Sequence, residues 1–271
     1  MKKLIPALCM LLVAACLMGT STYAWFSANT TVTANGMSVK AASDGGLAIA
    51  SYTGTVDAPA EPSDDKFASA ADAVWKKGAA AISPASFTGT EWFTGKATDA
   101  GSYEGTGFKA VADSTNYAQE TKWQLKSLLD DSSSKVYVSA VTITAAGNSA
   151  ALNESLRVCI KTADYTVFFA PVRTAAPENF TLQYVSAVAT TGTADAEGFY
   201  PAADATKSDA TLLFGQANYT GAIIFNALTT EAADVSVYVY YEGEDPACNS
   251  ANATNIDTLS VSISYNAVAN S

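Results

Sequence analysis

The sequence predicts a mainly β fold: an antiparallel two-sheet sandwich, jelly-roll-like in its wiring, with irregular insertions and one short helix. Two observations carry this reading and a third narrows it. Val235, Val237, Val239 and Tyr241 alternate with Ser236, Tyr238 and Tyr240, and Leu259, Val261, Ile263 and Tyr265 alternate with Ser260, Ser262 and Ser264. Period two sustained this long marks antiparallel strands with one face buried. The connecting pieces are rich in Gly, Asn, Asp, Ser and Thr, the residues of β-turns and loops. No repeat of solenoid length is present, which leaves a sandwich ahead of a repeat architecture.

The chain opens with a secretory pattern. Lys2 and Lys3 precede an apolar run over residues 4–19, and Thr22 and Ala24 place small residues where a signal peptidase reads. The run is shorter than a membrane-spanning helix needs. Residues 1–24 are therefore expected to be removed as a signal peptide, and the mature chain to begin at Trp25 as a single β-sandwich domain over 25–271. Val13-Ala14-Ala15-Cys16 also reads as a lipobox, but Leu17 and Met18 continue the apolar run where a lipoprotein carries a polar tether. The expected location is outside the cell or on its surface.

After the leader come two short strand-like pieces around Asn35-Gly36. Val32 and Ala34 form the first, and Met37, Val39 and Ala41 alternate with Ser38 and Lys40 in the second, which predicts a first hairpin. Phe67, Ala71, Val74 and Trp75 fall at helical spacing and predict a short amphipathic helix between Asp65 and Ala81. It lies in an insertion around residues 57–120, whose loop at 57–65 reads as solvated. Trp123, Leu125, Leu128 and Leu129 fit a strand or a helical turn. Further strands are expected at 136–144, 156–161, 165–170, 180–188 and 221–225, with a loop at 194–209.

Composition excludes several functions. The net charge is −11, and loss of Lys2 and Lys3 with the leader makes the mature chain more acidic still, so nucleic acid and anionic membranes are repelled. Histidine is absent, which removes the commonest general base and zinc ligand. No HExxH, P-loop, GxGxxG or CxxC pattern occurs, and the chain is expected not to be an enzyme and to carry no catalytic residue, metal or cofactor. The acidic groups Ser63-Asp64-Asp65 and Glu242-Gly243-Glu244-Asp245 match no calcium loop and read as solvated faces.

Two cysteines remain after processing. Leu156, Val158 and Ile160 share one face of a strand, which puts Cys159 on the wetter face with Arg157 and Lys161. Cys248 sits in a polar loop. An exported chain in an oxidising setting makes a Cys159–Cys248 disulfide one expectation, and two thiols that never meet the other.

Residues Gly19-Thr20-Ser21-Thr22-Tyr23-Ala24-Trp25-Phe26-Ser27, with the Thr/Val-rich stretch to Lys40, resemble the export and start region of the TasA/camelysin family. The resemblance implies secretion from a Gram-positive bacterium, cleavage at the Ala24–Trp25 junction by a dedicated signal peptidase, a jelly-roll fold and biofilm-matrix fibres. Camelysin members have been described as metalloproteases, but without histidine there is no residue here to which such a site could be carried. The ending, with its strand at 235–241 and serine-alternating last strand, looks like uncharacterised exported proteins of gut Gram-positive bacteria.

Three function classes follow. The leading expectation is a structural subunit of an extracellular fibre, pilus or matrix that associates with itself and meets the membrane only during export. The second is a monomeric adhesin that binds glycans or surface proteins through aromatics such as Trp92, Phe93, Phe199 and Tyr200, although such side chains more often plug the edge of a core. The third is a carboxylate hydrolase. In the leading class the freed N-terminus, with Trp25, Phe26, Val32, Met37 and Val39, would add as a donor strand to a neighbour's sheet edge and build an open filament.

Overall fold

In the computed structural model the segments of alternating hydrophobicity are strands. It describes residues 32–33, 37–43, 46–79, 81–87, 89, 91–94, 109–111, 113–129, 133–146, 155–171, 179–189, 223–243, 248 and 258–270. In chain order the first strands are β1 (Val32–Thr33), β2 (Ser38–Ser43), β3 (Leu47–Ser51), β4 (Thr53–Thr55) and β5 (Ala58–Ala60). A 3-10 turn at Asp64–Lys66 precedes β6 (Ala70–Asp72), β7 (Lys76–Lys77), β8 (Ala81–Ile82), β9 (Ser86–Phe87), β10 (Trp92–Thr94) and β11 (Lys109–Val111). A second 3-10 turn at Ser114–Asn116 leads to β12 (Ala118–Ser127), β13 (Ser134–Ala146), β14 (Leu156–Lys161) and β15 (Tyr165–Pro171). The chain ends with β16 (Asn179–Ala189), β17 (Ile223–Leu228), β18 (Ala233–Tyr241) and β19 (Thr258–Ala269).

Most of these strands form one sheet in the order β3-β12-β18-β14-β15-β16-β13-β19-β2-β6, with β17 added on β13 and β7 on β12. The sheet rolls until its ends meet: Ile49 of β3 bridges Ala68, two residues before β6. Its two halves then face each other across one core, the sandwich-like arrangement that the alternation predicts. Inward side chains of β18 (Val235, Val237, Val239, Tyr241) and β19 (Leu259, Val261, Ile263, Tyr265) meet Trp123 and Leu125 of β12 and Val158 and Ile160 of β14 there. Each such side chain contributes roughly 1.5–3 kcal/mol by leaving water.

β13 shows how local geometry keeps this face continuous. Val136 and Val138 point inward, a register shift follows between Val138 and Ala140, and Val141 and Ile143 are inward again. The extra residue resets the phase, as a bulge does, so all four reach the core.

The outer face of the sheet is covered in part by a third, small layer. Strands β11-β10-β9 form a separate sheet, from which Phe87 and Trp92 pack on Cys159, Phe168 and Tyr240. Phe87 and Trp92 stack at 4.2 Å between ring centroids, and Phe87 meets Phe168 edge-on at 6.1 Å. The insertion expected around 57–120 thus supplies a lid on a second apolar cluster.

The expected helix between Asp65 and Ala81 is not formed. After the 3-10 turn the chain is extended, with Ala71, Ala73 and Trp75 turned inward and Asp72 and Val74 outward. Period two was hidden because alanine, a weak apolar marker, occupies two of the three inward positions, while exposed Val74 completed the false helical spacing. The ambiguous segment around Trp123 resolves as strand β12, with Leu128 exposed just beyond it. The loop expected at 194–209 lies outside the described residues.

Candidate assembly site at the N-terminal seam

Of the N-terminal pieces, β2 lies along the line where the rolled sheet closes, whereas β1 belongs with β8 to a separate two-stranded sheet. They do not pair with each other as the predicted hairpin: Val32 and Thr33 pair antiparallel with Ile82 and Ala81, whereas β2 lies between β19 and β6. The Asn35-Gly36 signal misled because a turn sequence states only that the chain bends, not what the flanking strands bond to. Among the described strand pairs, β2–β19 is the parallel one.

β2 alternates cleanly. Met37, just ahead of it, and its own Val39 and Ala41 are buried in the core, while Ser38, Lys40 and Ala42 line the outer face. Gly46 then turns the chain into β3 at φ +74°, where a Cβ would stand 3.2 Å from Leu129. A side chain there is therefore both strained and crowded.

The segment after the first 3-10 turn seals the seam as a strap. Ser43 N–H donates to Ser69 O and Ala73 N–H to Val39 O, both at 2.8 Å, on the β2 side. On the β3 side Ile49 and Ala68 exchange backbone bonds, and Trp75 N–H donates to Tyr52 O at 3.0 Å. The Trp75 indole N–H donates to Thr55 O at 2.8 Å, with Lys122 Nζ 5.2 Å from the ring centroid. Lys76 Nζ closes the near end on Met37 O at 2.8 Å. A shallow groove of about 350 Å³ runs along the outside, lined by Lys40, Ala42, Asp72, Ser262 and neighbours. Its Lys40–Asp72 ion pair, at 3.5 Å and well exposed, adds little stability.

The structure places the other expected residues as follows. Thr22, Ala24, Trp25 and Phe26, together with Cys16, Phe199 and Tyr200, lie outside the described residues. Val32 sits in β1. Met37 and Val39 belong to the core of their own chain. Trp92 is only 7 % exposed beneath its contacts with Phe87, Tyr238 and Tyr240, so it offers no sugar platform. Phe93 is half-buried.

Of the two expectations for the cysteines, the disulfide is the one overturned: Cys159 and Cys248 are not bonded to each other, and they sit in different apolar clusters, Cys248 in the main core and Cys159 under the lid. Cys159 does point away from Leu156, Val158 and Ile160 as expected, but that face is dry because β9 and β10 cover it. Burial pushes its thiol well above the ordinary range, against a small opposing pull from Lys161, so it is a poor nucleophile.

The sequence reading missed one polar site. Glu242, taken as part of a solvated acidic run, is buried and accepts a hydrogen bond from Ser86 Oγ. Arg157 is buried nearby and donates to Leu156 O at 3.0 Å. Ala85 docks beside them, its N–H donating to Tyr241 O at 3.0 Å and its carbonyl accepting from Gly243 at 3.2 Å. Ser63, Asp64 and Asp65 are exposed on the surface as expected, and Asp64 meets Lys126 at 3.3 Å.

Among the described residues there is no cluster of three or more potential metal ligands, and no helix is long and apolar enough to cross a membrane. The chain is a mainly β protein whose strand β2 lies on the seam of a rolled sheet. No protein-family model, curated protein or solved structure matches it.

Proposed function

We propose that the protein is an exported, non-enzymatic structural subunit of a bacterial surface fibre, pilus or biofilm matrix, akin to the TasA/camelysin family and its jelly-roll fold. The observation that carries the proposal is the position of β1. It pairs with β8 over two residues and is followed by a strand locked into its own core, so among the described pairings β1 gives up two on leaving β8 while β2 stays anchored. The leader pattern and the resemblance over residues 19–40 support export and assembly.

In this reading the donor is residues 25–33, led by Trp25 and Phe26. Met37 and Val39 anchor rather than donate, because both are built into the core of their own subunit. Main-chain bonds to a neighbour's strand would hold the donor, and a head-to-tail contact of this kind propagates without closing. The adhesin reading ranks second because Trp92 is buried.

The test is deletion of residues 25–33 from the mature protein. The shortened chain is expected to fold and stay monomeric, while the full mature chain forms fibres visible by negative-stain microscopy and a synthetic peptide of the deleted segment caps their growth. Normal fibres from the shortened chain would refute donor-strand addition. A mature chain that stays monomeric at high concentration would refute the fibre reading itself.

A further inference from the structure

β2 and β19 pair parallel over six residue pairs, from Ser38↔Ser260 to Ser43↔Tyr265. The chain therefore enters β2 at one end of this pair and leaves β19 at the other. Tension between the chain upstream of β2 and the chain downstream of β19 pulls the two strands along their axes in opposite senses. All the bonds of the pair are then loaded together, in shear. An antiparallel pair pulled from adjacent ends opens instead one bond at a time.

We propose that the β2–β19 pair is a mechanical clamp that lets the folded protein bear tension along its chain. Both strands are braced on their far sides. β19 is registered with β13 over twelve residue pairs, and β2 with β6 over three. Ala73 N–H to Val39 O, Ser43 N–H to Ser69 O and Lys76 Nζ to Met37 O, each at 2.8 Å, tie β2 to the strap. Ser38 Oγ donates to Ser260 Oγ at 3.1 Å across the pair itself.

Sliding is also resisted by the core. A one-residue slip of β2 would turn Val39 and Ala41 to the outer face, and a two-residue slip would drag each past its packed neighbours. β1, with two antiparallel pairs to β8, yields first and leaves β2 to carry the load. The clamp is a property of one folded chain and stands whether or not the subunits polymerise.

Single-molecule force spectroscopy on the mature chain tests it by direction of pull. Held by its N- and C-termini, the molecule is expected to rupture at a force about twofold or more above that needed when it is held at Lys135→Cys and the C-terminus, since forced unfolding reports the barrier along the direction imposed. Lys135 pairs with Val268, so the second geometry unzips β13 from β19. In the terminal geometry Val39→Ala is expected to lower the rupture force and Val235→Ala, in the core but off the loaded pair, to leave it nearly unchanged. Equal forces in the two geometries overturn the clamp, as does a terminal rupture force that responds to Val235→Ala as much as to Val39→Ala.

Discussion

Ile49 and Ala68 exchange both of their backbone hydrogen bonds, at 2.7 and 3.0 Å, and this bridge joins β3 to the strap where the rolled sheet closes. Ala68→Pro removes the donor to Ile49 O, and the expected loss is on the order of 2–3 kcal/mol. Denaturant titration reads it, and hydrogen exchange should locate the opening at β3 and β6. A midpoint equal to the parent's would mean that the seam is held without this bridge.

Tyr265 has a fully buried hydroxyl that meets no hydrogen-bond partner among the described residues. Removing that group from the core relieves its desolvation cost, so Tyr265→Phe should stabilise the protein by about 1 kcal/mol. A fall of the unfolding midpoint would show that the hydroxyl contributes favourably.

Alkali should unfold the protein cooperatively. Burial pushes the hydroxyls of Tyr238, Tyr240 and Tyr265 above the ordinary tyrosine range, for Tyr238 and Tyr240 with help from the nearby carboxylates Glu120 and Glu242. These groups bind protons more tightly folded than unfolded, so their contribution is complete below the ordinary tyrosine pKa of about 10 and is lost as pH rises above it. Phenolate absorbance should therefore rise together with loss of β-sheet circular dichroism. Tyrosine ionisation well before unfolding would contradict the packing described for these rings.

Neither Cys159 nor Cys248 should react with a thiol-alkylating reagent in the native state, and both should react after unfolding in denaturant without reductant. Mass spectrometry of alkylated peptides decides between this and a disulfide, which would leave both unlabelled until reduced. Cys159→Ser places a hydroxyl in the dry cluster beneath the lid and should cost about 1–3 kcal/mol.

Ser86→Ala removes a donor from buried Glu242 and should loosen the lid over Tyr240 and Cys159. The expected loss is about 1.5–3 kcal/mol, the range for hydrogen bonds to a charged group. Fluorescence of Trp92 should shift toward that of a solvated indole. Ser86→Thr, which keeps the hydroxyl, should recover part of both effects.

Much of the strand content was legible in the sequence because alternation is a local property. Val235 to Tyr241 and Leu259 to Tyr265 state their inward faces without reference to anything else, and the strand expected at 156–161 matches β14 to the residue. Cys159 was even assigned to the correct side of that strand. Whether that side is wet or dry was not legible, because the answer lies in Phe87 and Trp92, distant in sequence and on a different sheet. The same is true of Glu242, whose acidic neighbours advertise solvent while Ser86 and the lid bury it. Ala71 and Ala73 carry too little hydrophobic contrast to reveal that they face the core. The parallel β2–β19 pair joins residues more than two hundred positions apart, such as Ser38 and Ser260. Local chemistry sets which way each side chain points along its own strand; long-range closure of the sheet alone decides which strands become neighbours and which faces are covered.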